Sequence, residues 1–386
     1  MSHMTYPEAM VVGLVQGVTE LFPMSSLGHN VLIPALIGGS WAKDLSVSAP
    51  ESPYLAFIVG LHVATAVAMI AYFWRDWVRI IRGFVSSIAQ RRVETADQKL
   101  AWMIILATIP VGIAGLALEH LFRVAFSKPI PTATFLAVNG LILLGGERLR
   151  RARLGARQAG ESGAGPGGGP PVPPGEAGAR VPVQSVGAPA LGVAATGPGV
   201  ARLVPPDRGT LPGERWVPAE GGTAHTPASR GGAGKHASGQ RAVRSEETAA
   251  AVAADARLSV MSYVQAVLIG SAQIFALLPG ISRDGIVTVT GMFRGLSRED
   301  AVRYSFLLSA PVILAAGVLK IPSDLLGPLG NGIHGQILAG SLLSGVGAYL
   351  SVRFLVRYFR QDRSLTPFGI YCLVAGLGSL VFLVLR

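Results

Sequence analysis

The sequence predicts an all-α polytopic membrane protein with two inverted repeats, each a re-entrant helix-loop-helix hairpin plus three transmembrane helices. Three observations lead to this fold class. Half of the 386 residues are hydrophobic and only 14% are charged, the chain contains six long apolar segments, and one motif occurs in similar form in both halves. A composition this apolar and this poor in charge is typical of a protein that crosses a membrane several times.

Six apolar segments have or approach the roughly 20 residues that an α-helix needs to cross a bilayer. Three lie in the first half of the chain and three in the second. They cover residues 55–74, 101–122, 132–147, 302–321, 336–356 and 367–385. We therefore expect three transmembrane helices on either side of the middle of the chain.

Basic residues concentrate in three of the loops, which are therefore expected to be cytoplasmic. The basic loops cover residues 74–94, 147–157 and 352–363, and the loops with few basic residues cover 40–53, 123–131 and 322–335. An odd number of spans in each half then makes the second half inverted relative to the first. Because the loop arginines explain the formal net charge of +11, nucleic acid is not expected as a partner.

Residues 152–257 differ abruptly from the rest in composition, being rich in Gly, Pro, Ala and Ser with hardly any aromatic residues. Such a segment cannot bury enough apolar surface to offset its conformational entropy. We predict a disordered cytoplasmic linker here, with docking of a partner as the less favoured alternative. The linker separates a first membrane repeat, residues 1–151, from a second and inverted one, residues 258–386.

The repeat is visible in the segments "AMVVGLVQGVTELFPMS" and "AVLIGSAQIFALLPGIS". The matching residues are Gly13, Gln16, Pro23 and Ser25 in the first half, and Gly270, Gln273, Pro279 and Ser282 in the second. Four matches in the same order favour an internal repeat. The flanking apolar segments, 7–22 with 26–38 and 260–278 with 283–294, are too short to cross a bilayer comfortably. We predict two re-entrant hairpins whose bends meet near the middle of the membrane.

The first bend gathers polar residues within an apolar region. Gln16 and Glu20 are four residues apart and would share one helix face, and an ionisable residue at membrane depth indicates a functional site. Ser25 suits a helix N-cap. We predict Ser26 and His29 as a nucleophile and its proton-transfer partner. The alternative is that Glu20 only hydrogen-bonds a neighbouring helix.

The second bend, "LLPGISRDGIVTVTG", predicts an anion site. Ser282 can cap a helix whose first amides, up to that of Gly285, would point at a ligand. Arg283 adds a positive charge suited to phosphate. The alternative is an ion pair of Arg283 with Glu20 or Asp284 and no ligand.

A few other residues carry weaker expectations. Cys372 is the only cysteine, which excludes an intrachain disulfide and a cysteine-based metal site. The N-terminal segment, "MSHMTYPEAM", has no basic region or clear cleavage site and is not expected to be a removed signal peptide. His62 and His120 are expected to serve in packing or at the membrane interface.

At the two bends the chain resembles the undecaprenyl-diphosphate phosphatase family, also known as bacitracin-resistance proteins. The resemblance covers both apolar halves and omits the linker. Asp284 and Val287 depart from the family, which usually has Ser and Thr there, and Asp284 would have to pair with Arg283 or bind a divalent ion. The first family motif is matched by Gln16, Glu20, Pro23, Ser25, Ser26, Gly28 and His29, and the second by Pro279, Gly280, Ser282 and Arg283.

The resemblance implies a phosphoric anhydride hydrolase in the bacterial plasma membrane. Its substrate would be undecaprenyl diphosphate, cleaved to undecaprenyl phosphate and phosphate, which recycles the lipid carrier for peptidoglycan synthesis and is linked to bacitracin resistance. A divalent cation, Mg²⁺ or Ca²⁺, would assist, and the lipid head would enter a cavity open to the outer face. The implied roles are catalysis for Glu20, Ser26, His29 and Arg283, phosphate binding for Ser25, Ser282, Arg283 and Gly285, and metal binding for Glu20 and Gln16.

Several alternatives stay open at this point. The nucleophile can be Ser26, His29 or a water molecule. A transporter or flippase of a polyprenyl phosphate carrier would share the architecture of broken helices that meet at the midplane. An inactive scaffold whose linker recruits partners is a third function. The sequence also leaves open whether the protein forms a homo-oligomer and which length of lipid chain it accepts.

Overall fold

The computed structural model describes residues 4–45, 53–121, 128–163, 249–321 and 332–386, and within these ranges the regular secondary structure is helical. The residues of both halves form one compact unit. In chain order the helices are α1 (Tyr6–Thr19), α2 (Ser26–Ile37), α3 (Gly39–Asp44), α4 (Pro53–Tyr72), α5 (Trp74–Gln90), α6 (Ala96–Leu121), α7 (Pro129–Gly163), α8 (Ala249–Ser259), α9 (Tyr263–Ser271), a 3₁₀ turn (Ala272–Leu277), α10 (Arg283–Phe293), α11 (Arg298–Lys320), α12 (His334–Arg360) and α13 (Thr366–Leu385).

Six of the described helices are long and apolar enough to cross a membrane. They are α4, α6, α7, α11, α12 and α13, and each contains most or all of one predicted apolar segment. The all-helical fold with six membrane-crossing helices, three in each half, is therefore confirmed.

The two predicted hairpins are pairs of shorter helices joined at the predicted bends. In the first, Ser25 caps α2 through a hydrogen bond from the Gly28 amide. In the second, α9 continues into the 3₁₀ turn, and Ser282 caps α10 through the Gly285 amide. Hydroxyl acceptors satisfy amides that a helix start leaves unpaired, which is why each bend ends at its serine.

The predicted linker is wrong at both of its ends. Helix α7 continues to Gly163, and α8 forms over residues 249–259. Both segments are rich in Ala, Leu or Arg, which are strong helix formers, and α8 also buries Asp255 against Arg303, with Nε 2.7 Å from Oδ1. Residues 164–248 lie outside the described residues, so disorder in that part stays a prediction.

The basic segment 74–94, predicted as a loop, is mostly helix α5. One face of α5 buries Ile80 and packs on α6, while Ile81, Val85 and Ile88 on the other face are exposed. The arginines interrupt the apolar run without interrupting the helical periodicity. The correction leaves the number of membrane-crossing helices unchanged.

The two halves pack on each other in a reciprocal way. Helix α1 packs on α12 and α9 packs on α6, while α7 and α13 pack together. Close approach requires small residues: a Cβ added at Gly13 would lie 2.3 Å from the Gly340 carbonyl oxygen, and one at Gly270 would lie 2.5 Å from the Ala107 carbonyl oxygen. This reciprocity supports two structural repeats, and the inverted orientation of the second stays a prediction.

The three basic segments lie at one end of the helix bundle. Arg298 is 2.6 Å from Glu147 and 2.6 Å from Asp362, which joins the middle of α7 to the loop before α13. Arg303 pairs with Asp76 of α5 at 3.1 Å. The bends of the two hairpins contact α7 at Asn139, about two helical turns before Glu147.

Candidate active site

The bends of the two hairpins contact each other through Ser25. Its backbone has φ of +67°, and its Oγ accepts hydrogen bonds from the Gly28 amide at 3.2 Å and from the Gly280 amide at 3.1 Å. The first bond caps α2, and the second joins the halves of the chain. The predicted cap is confirmed, while a role of Ser25 in binding phosphate stays a prediction.

Asn139 of α7 holds the same two bends from the side. Its Nδ2 donates to the Pro23 carbonyl oxygen at 3.0 Å, and its Oδ1 accepts from the Ser282 amide at 3.0 Å. Asn139 is completely buried. Because one amide group contacts both bends, it fixes their separation.

Glu20 is the centre of the polar cluster. Its Oε1 accepts a hydrogen bond from Arg283 Nη2 at 2.6 Å, and its Oε2 accepts from Gln16 Nε2 at 2.8 Å and from the Ser26 hydroxyl. Only 3% of the Glu20 side chain is exposed. The structure thus brings together four predicted site residues, Gln16, Glu20, Ser26 and Arg283, around one carboxylate.

His29 does not pair with Ser26 as the sequence predicted. Its Nδ1 lies 2.7 Å from the Ser25 carbonyl oxygen, and its Nε2 lies 2.8 Å from the Tyr371 hydroxyl. A carbonyl only accepts, so Nδ1 carries the proton and Nε2 accepts from Tyr371. Two residues three apart on a helix share a side, but the backbone carbonyl of the preceding turn and Tyr371 of α13 take both ring nitrogens of His29.

His62 of α4, which was expected to serve in packing or at the membrane interface, is in contact with the site. Its Nε2 lies 3.4 Å from Glu20 Oε2, and 24% of its side chain is exposed. Its Nδ1 donates to the Ile58 carbonyl oxygen at 2.9 Å. The side chain of His120 lies outside the described residues.

The start of α10 has two backbone amides without a hydrogen-bond acceptor among the described residues. The Gly285 amide is taken by the Ser282 hydroxyl at 3.2 Å, so Gly285 serves the cap. For Arg283 and Asp284, the described residues supply no acceptor to either backbone amide. Free amides at a helix start, next to a guanidinium group, suit a phosphate.

The sequence suggested that Asp284 pairs with Arg283 or binds a divalent ion. In the structure it forms no ion pair with Arg283. Its Oδ1 accepts hydrogen bonds from Ser305 at 2.6 Å and from Ser309 at 2.7 Å, both on α11. The side chain is buried, and the two serine hydroxyls stabilise its charge. Val287, the second departure from the family motif, is fully buried in apolar packing.

The described residues do not fit a metal ion held by the protein alone. They contain no group of three or more His, Cys, Asp or Glu side chains that could bind one. Gln16 turns its amide nitrogen toward Glu20, while its Oε1 accepts from Asn30 at 2.5 Å. The carboxylate oxygens of Glu20 therefore already face hydrogen-bond donors, and Mg²⁺ or Ca²⁺ stays a prediction.

Sequence reasoning missed three residues that contact the site, Asn30, Asn139 and Tyr371, and it assigned His62 to packing or the membrane interface. Asn30 and Asn139 are polar residues inside apolar helices, a signal that could have singled them out. Tyr371 could not have been found this way, because tyrosine is common at membrane interfaces.

The arrangement can activate an oxygen nucleophile next to a phosphate-binding group. The Ser26 hydroxyl donates a hydrogen bond to Glu20, a carboxylate that can act as a general base. Arg283 supplies positive charge at the other carboxylate oxygen of Glu20, Oε1. A carboxylate that joins a hydroxyl to a guanidinium group is suited to phosphoryl transfer.

Comparison with known proteins gives matches over nearly the whole chain. A family model described as bacitracin resistance protein BacA matches residues 9–163 and 240–378. A protein of Mycolicibacterium paratuberculosis named undecaprenyl-diphosphatase is 50% identical, over 100% of this chain and 99% of the relative. Undecaprenyl-diphosphatase 2 of Frankia alni is 49% identical, over 97% of each chain. Undecaprenyl-diphosphatase 2 of Chromobacterium violaceum is 32% identical, over 97% of this chain and 98% of the relative.

These matches include both bends and therefore every residue of the Glu20 cluster. The match to the family model covers well over half of the chain, and the similarity to the relatives extends through both membrane halves. The chain therefore belongs to the bacitracin resistance protein BacA family.

Proposed function

We propose that this chain is an integral membrane phosphatase that hydrolyses undecaprenyl diphosphate to undecaprenyl phosphate and inorganic phosphate. Membership of the BacA family and the relatives named undecaprenyl-diphosphatase support this activity. The observation that carries it is the Glu20 carboxylate, which accepts hydrogen bonds from Ser26 and Arg283 on its two oxygens. This pairs a nucleophile and its base with a phosphate-binding cation.

The terminal phosphate binds at Arg283 and at the free amides of α10. Arg283 can exchange its bond to Glu20 for a phosphate oxygen, since 21% of its side chain is exposed. A guanidinium group offers paired donors that match phosphate geometry. Ser282, as the cap of α10, holds those amides in place. The lipid tail then lies among the apolar helices.

Ser26, or a water molecule that Ser26 orients, attacks the terminal phosphorus. The proton of the attacking oxygen passes to Glu20 Oε2, the atom that already accepts the Ser26 hydrogen bond. Arg283 offsets the negative charge that develops on the phosphoryl oxygens. His29 is the less favoured nucleophile, because its Nε2 accepts a hydrogen bond from Tyr371 at 2.8 Å and would have to break it.

The protein is a multi-pass membrane protein, and we infer that its basic end faces the cytoplasm. The support is the clustering of the arginine-rich segments at one end of the bundle. Single cysteines at the exposed residues Ser40 and Arg92 test this orientation. A membrane-impermeant thiol reagent should label the first in intact cells and the second only after permeabilisation. The native Cys372 is buried and gives the background.

Phosphate release by the purified protein tests the activity. Wild-type protein in detergent should release inorganic phosphate from undecaprenyl diphosphate, assayed with added Mg²⁺, with added Ca²⁺ and with EDTA. Ser26→Ala should release at least about 100-fold less under the same conditions, within the range typical of lost nucleophilic or acid–base groups. A wild-type protein that binds the lipid and moves it across liposome membranes without phosphate release would contradict the phosphatase and support the flippase.

A further inference from the structure

Two histidines lie near the Ser26–Glu20 pair, and only one presents a free ring nitrogen to it. His29 and His62 both donate Nδ1–H to the carbonyl oxygen four residues earlier. In each ring the other nitrogen, Nε2, is therefore the one that can gain a proton. For His29 this nitrogen accepts from Tyr371, whereas for His62 it faces Glu20.

We propose that His62 is the catalytic residue that exchanges the proton of the attacking oxygen with the Ser26–Glu20 pair. This inference rests on the proposed phosphatase activity. His62 Nε2 lies 3.4 Å from Glu20 Oε2, the same oxygen to which the Ser26 hydroxyl donates. One carboxylate oxygen therefore lies between the nucleophile and an imidazole.

The position of His62 in α4 supports a role that goes beyond packing. Its side chain is 24% exposed, and its backbone carbonyl accepts a hydrogen bond from Thr65 Oγ1 at 2.7 Å, as in many membrane helices. The Nδ1 contact with Ile58 at 2.9 Å fixes the tautomer, so that Nε2 faces the carboxylate. Apolar packing alone does not require an imidazole nitrogen next to a buried carboxylate.

The charges around His62 are few. Glu20 is the acid within ion-pair distance of it among the described residues, and Arg283 lies behind Glu20 on the other carboxylate oxygen. Helices α11 and α12, which also pack on α4, bring the uncharged Gly317 and Ser344 to the residues on either side of His62. When Arg283 is bound to the substrate phosphate, the negative charge of Glu20 can therefore pair with protonated His62.

The reaction moves the terminal phosphoryl group to the attacking oxygen and the proton of that oxygen to the leaving group. The attacking oxygen forms a bond to the terminal phosphorus, and the bond from that phosphorus to the bridging oxygen breaks. The electron pair of the broken bond stays on the lipid phosphate. The proton of the attacking oxygen passes to Glu20 Oε2 and from there to His62 Nε2, which releases it to the departing phosphate. If Ser26 is the nucleophile, water then attacks the phosphorus held on Ser26 Oγ, and the bond from that phosphorus to Oγ breaks. The proton of the water passes through Glu20 and His62 back to Ser26 Oγ.

Comparison of His62→Gln with the wild type tests the proposal. Phosphate release from undecaprenyl diphosphate is measured across pH on detergent-purified full-length protein. We expect kcat to fall at least about 100-fold, KM to change by less than about threefold, and one limb of the wild-type pH profile to disappear. The control is His334→Gln, which removes an exposed histidine at the start of α12 and should leave both kcat and the pH profile unchanged.

Imidazole rescue of His62→Ala separates chemistry from structure. We expect added imidazole to raise the kcat of His62→Ala at least about tenfold and to leave the kcat of Ser26→Ala unchanged. An exogenous base can replace a missing proton acceptor but not a nucleophile. A His62→Gln protein with kcat within threefold of wild type and an unchanged pH profile would overturn the proposal. A folded His62→Ala protein whose activity imidazole does not rescue would also overturn it. Failure of both His62 variants to fold would overturn it too, because His62 would then be a structural residue. Wild-type protein without phosphatase activity would overturn the proposed function as well.

Discussion

Glu20 Oε1 and Arg283 Nη2 lie 2.6 Å apart and join residues that are 263 positions apart in the chain. The pair connects the bend of the first hairpin with the start of α10 in the second. The Glu20 side chain is almost fully buried, whereas 21% of the Arg283 side chain is exposed. Arg283 can therefore leave Glu20 and bind an anionic ligand, since the Glu20 carboxylate keeps the hydrogen bonds from Gln16 and Ser26.

Removal of Arg283 should lower stability and activity by separable amounts. Arg283→Gln leaves Glu20 buried without its cation, a change that costs about 3–5 kcal/mol for a fully buried pair and less for this partly exposed one. We expect a loss of about 2 kcal/mol in the free energy of unfolding and at least a 1,000-fold loss in kcat/KM, on the order of an essential charge-stabilising group. Thermal melting in detergent and phosphate release measure the two effects.

The double variant Glu20→Gln/Arg283→Gln is the control for this prediction. It replaces both charges by neutral amides, so that stability should recover toward the wild-type value while activity stays lost. Recovered activity in the double variant would contradict the proposed role of Arg283 in phosphate binding. An unchanged melting temperature in Arg283→Gln would show that Glu20 does not depend on this ion pair.

The neighbouring serines should respond to alanine substitution in opposite ways. Ser26 donates to Glu20, so Ser26→Ala should remove activity at little cost in stability. Ser25 accepts from the amides of Gly28 and Gly280, so Ser25→Ala should cost about 1–2 kcal/mol, as expected for a helix cap. Melting temperature and kcat of the two variants, measured side by side, check the contrast. The reverse pattern would exchange the roles of the two residues.

Much of the fold follows from the sequence, because apolar length and periodicity determine it. The six membrane-crossing helices and both bends were predicted, since they depend on local composition and on turn residues. The helical ends of the linker were missed. Alanine-rich α8 looks like low-complexity sequence. Its order follows from tertiary contacts: Asp255 pairs with Arg79 and Arg303, Arg257 pairs with Asp300, and Leu258 is buried in the core.

The site was predicted in part, because a motif gives residue types and not their partners. Gln16, Glu20, Ser26 and Arg283 meet as expected, since all lie at the two bends. His62 approaches Glu20 from α4, and no local spacing relates these two residues. Tertiary packing of separate helices decided that contact, and likewise the bond of His29 to Tyr371.

Asp284 should matter for stability more than for the reaction. Its Oδ1 accepts from Ser305 and Ser309 of α11, so Asp284→Ala removes the acceptor that these two buried hydroxyls share, at a cost of about 1–3 kcal/mol. We expect kcat within about tenfold of wild type, because the carboxylate is turned toward α11; melting and kinetic measurements check both values. Asp284→Ser, with the residue usual in the family, should stay active. A 1,000-fold loss in that variant would place Asp284 in the reaction.

Asn139 should be required for the register of the two bends. It donates to Pro23 and accepts from the Ser282 amide. Asn139→Asp keeps the acceptor and the size but loses the donor to Pro23, and Asn139→Leu loses both. We expect a graded fall in kcat/KM, about tenfold and then at least about 100-fold, since small misplacements of reacting groups are costly. Equal effects in the two variants would indicate that only the buried volume matters.

Gly280 should tolerate no side chain, for reasons of space as well as backbone conformation. Its φ is +113°, and a Cβ would lie 2.6 Å from the Thr132 carbonyl oxygen and 2.6 Å from the Leu136 amide nitrogen. Both contacts are with the backbone of α7, which cannot move without shifting Asn139. We expect Gly280→Ala to lower the free energy of unfolding by more than about 3 kcal/mol and to abolish activity.

Gly295 provides the matched control for Gly280, because it has a similar backbone with open space around it. Its φ is +96°, and nothing lies within 4 Å of an added Cβ. Gly295→Ala should therefore cost only the backbone strain, about 1 kcal/mol, and leave kcat near the wild-type value. Melting temperature and phosphate release of the two alanine variants measure the difference. Equal destabilisation would mean that backbone strain alone accounts for Gly280 and that the second bend approaches α7 less closely than its contacts indicate.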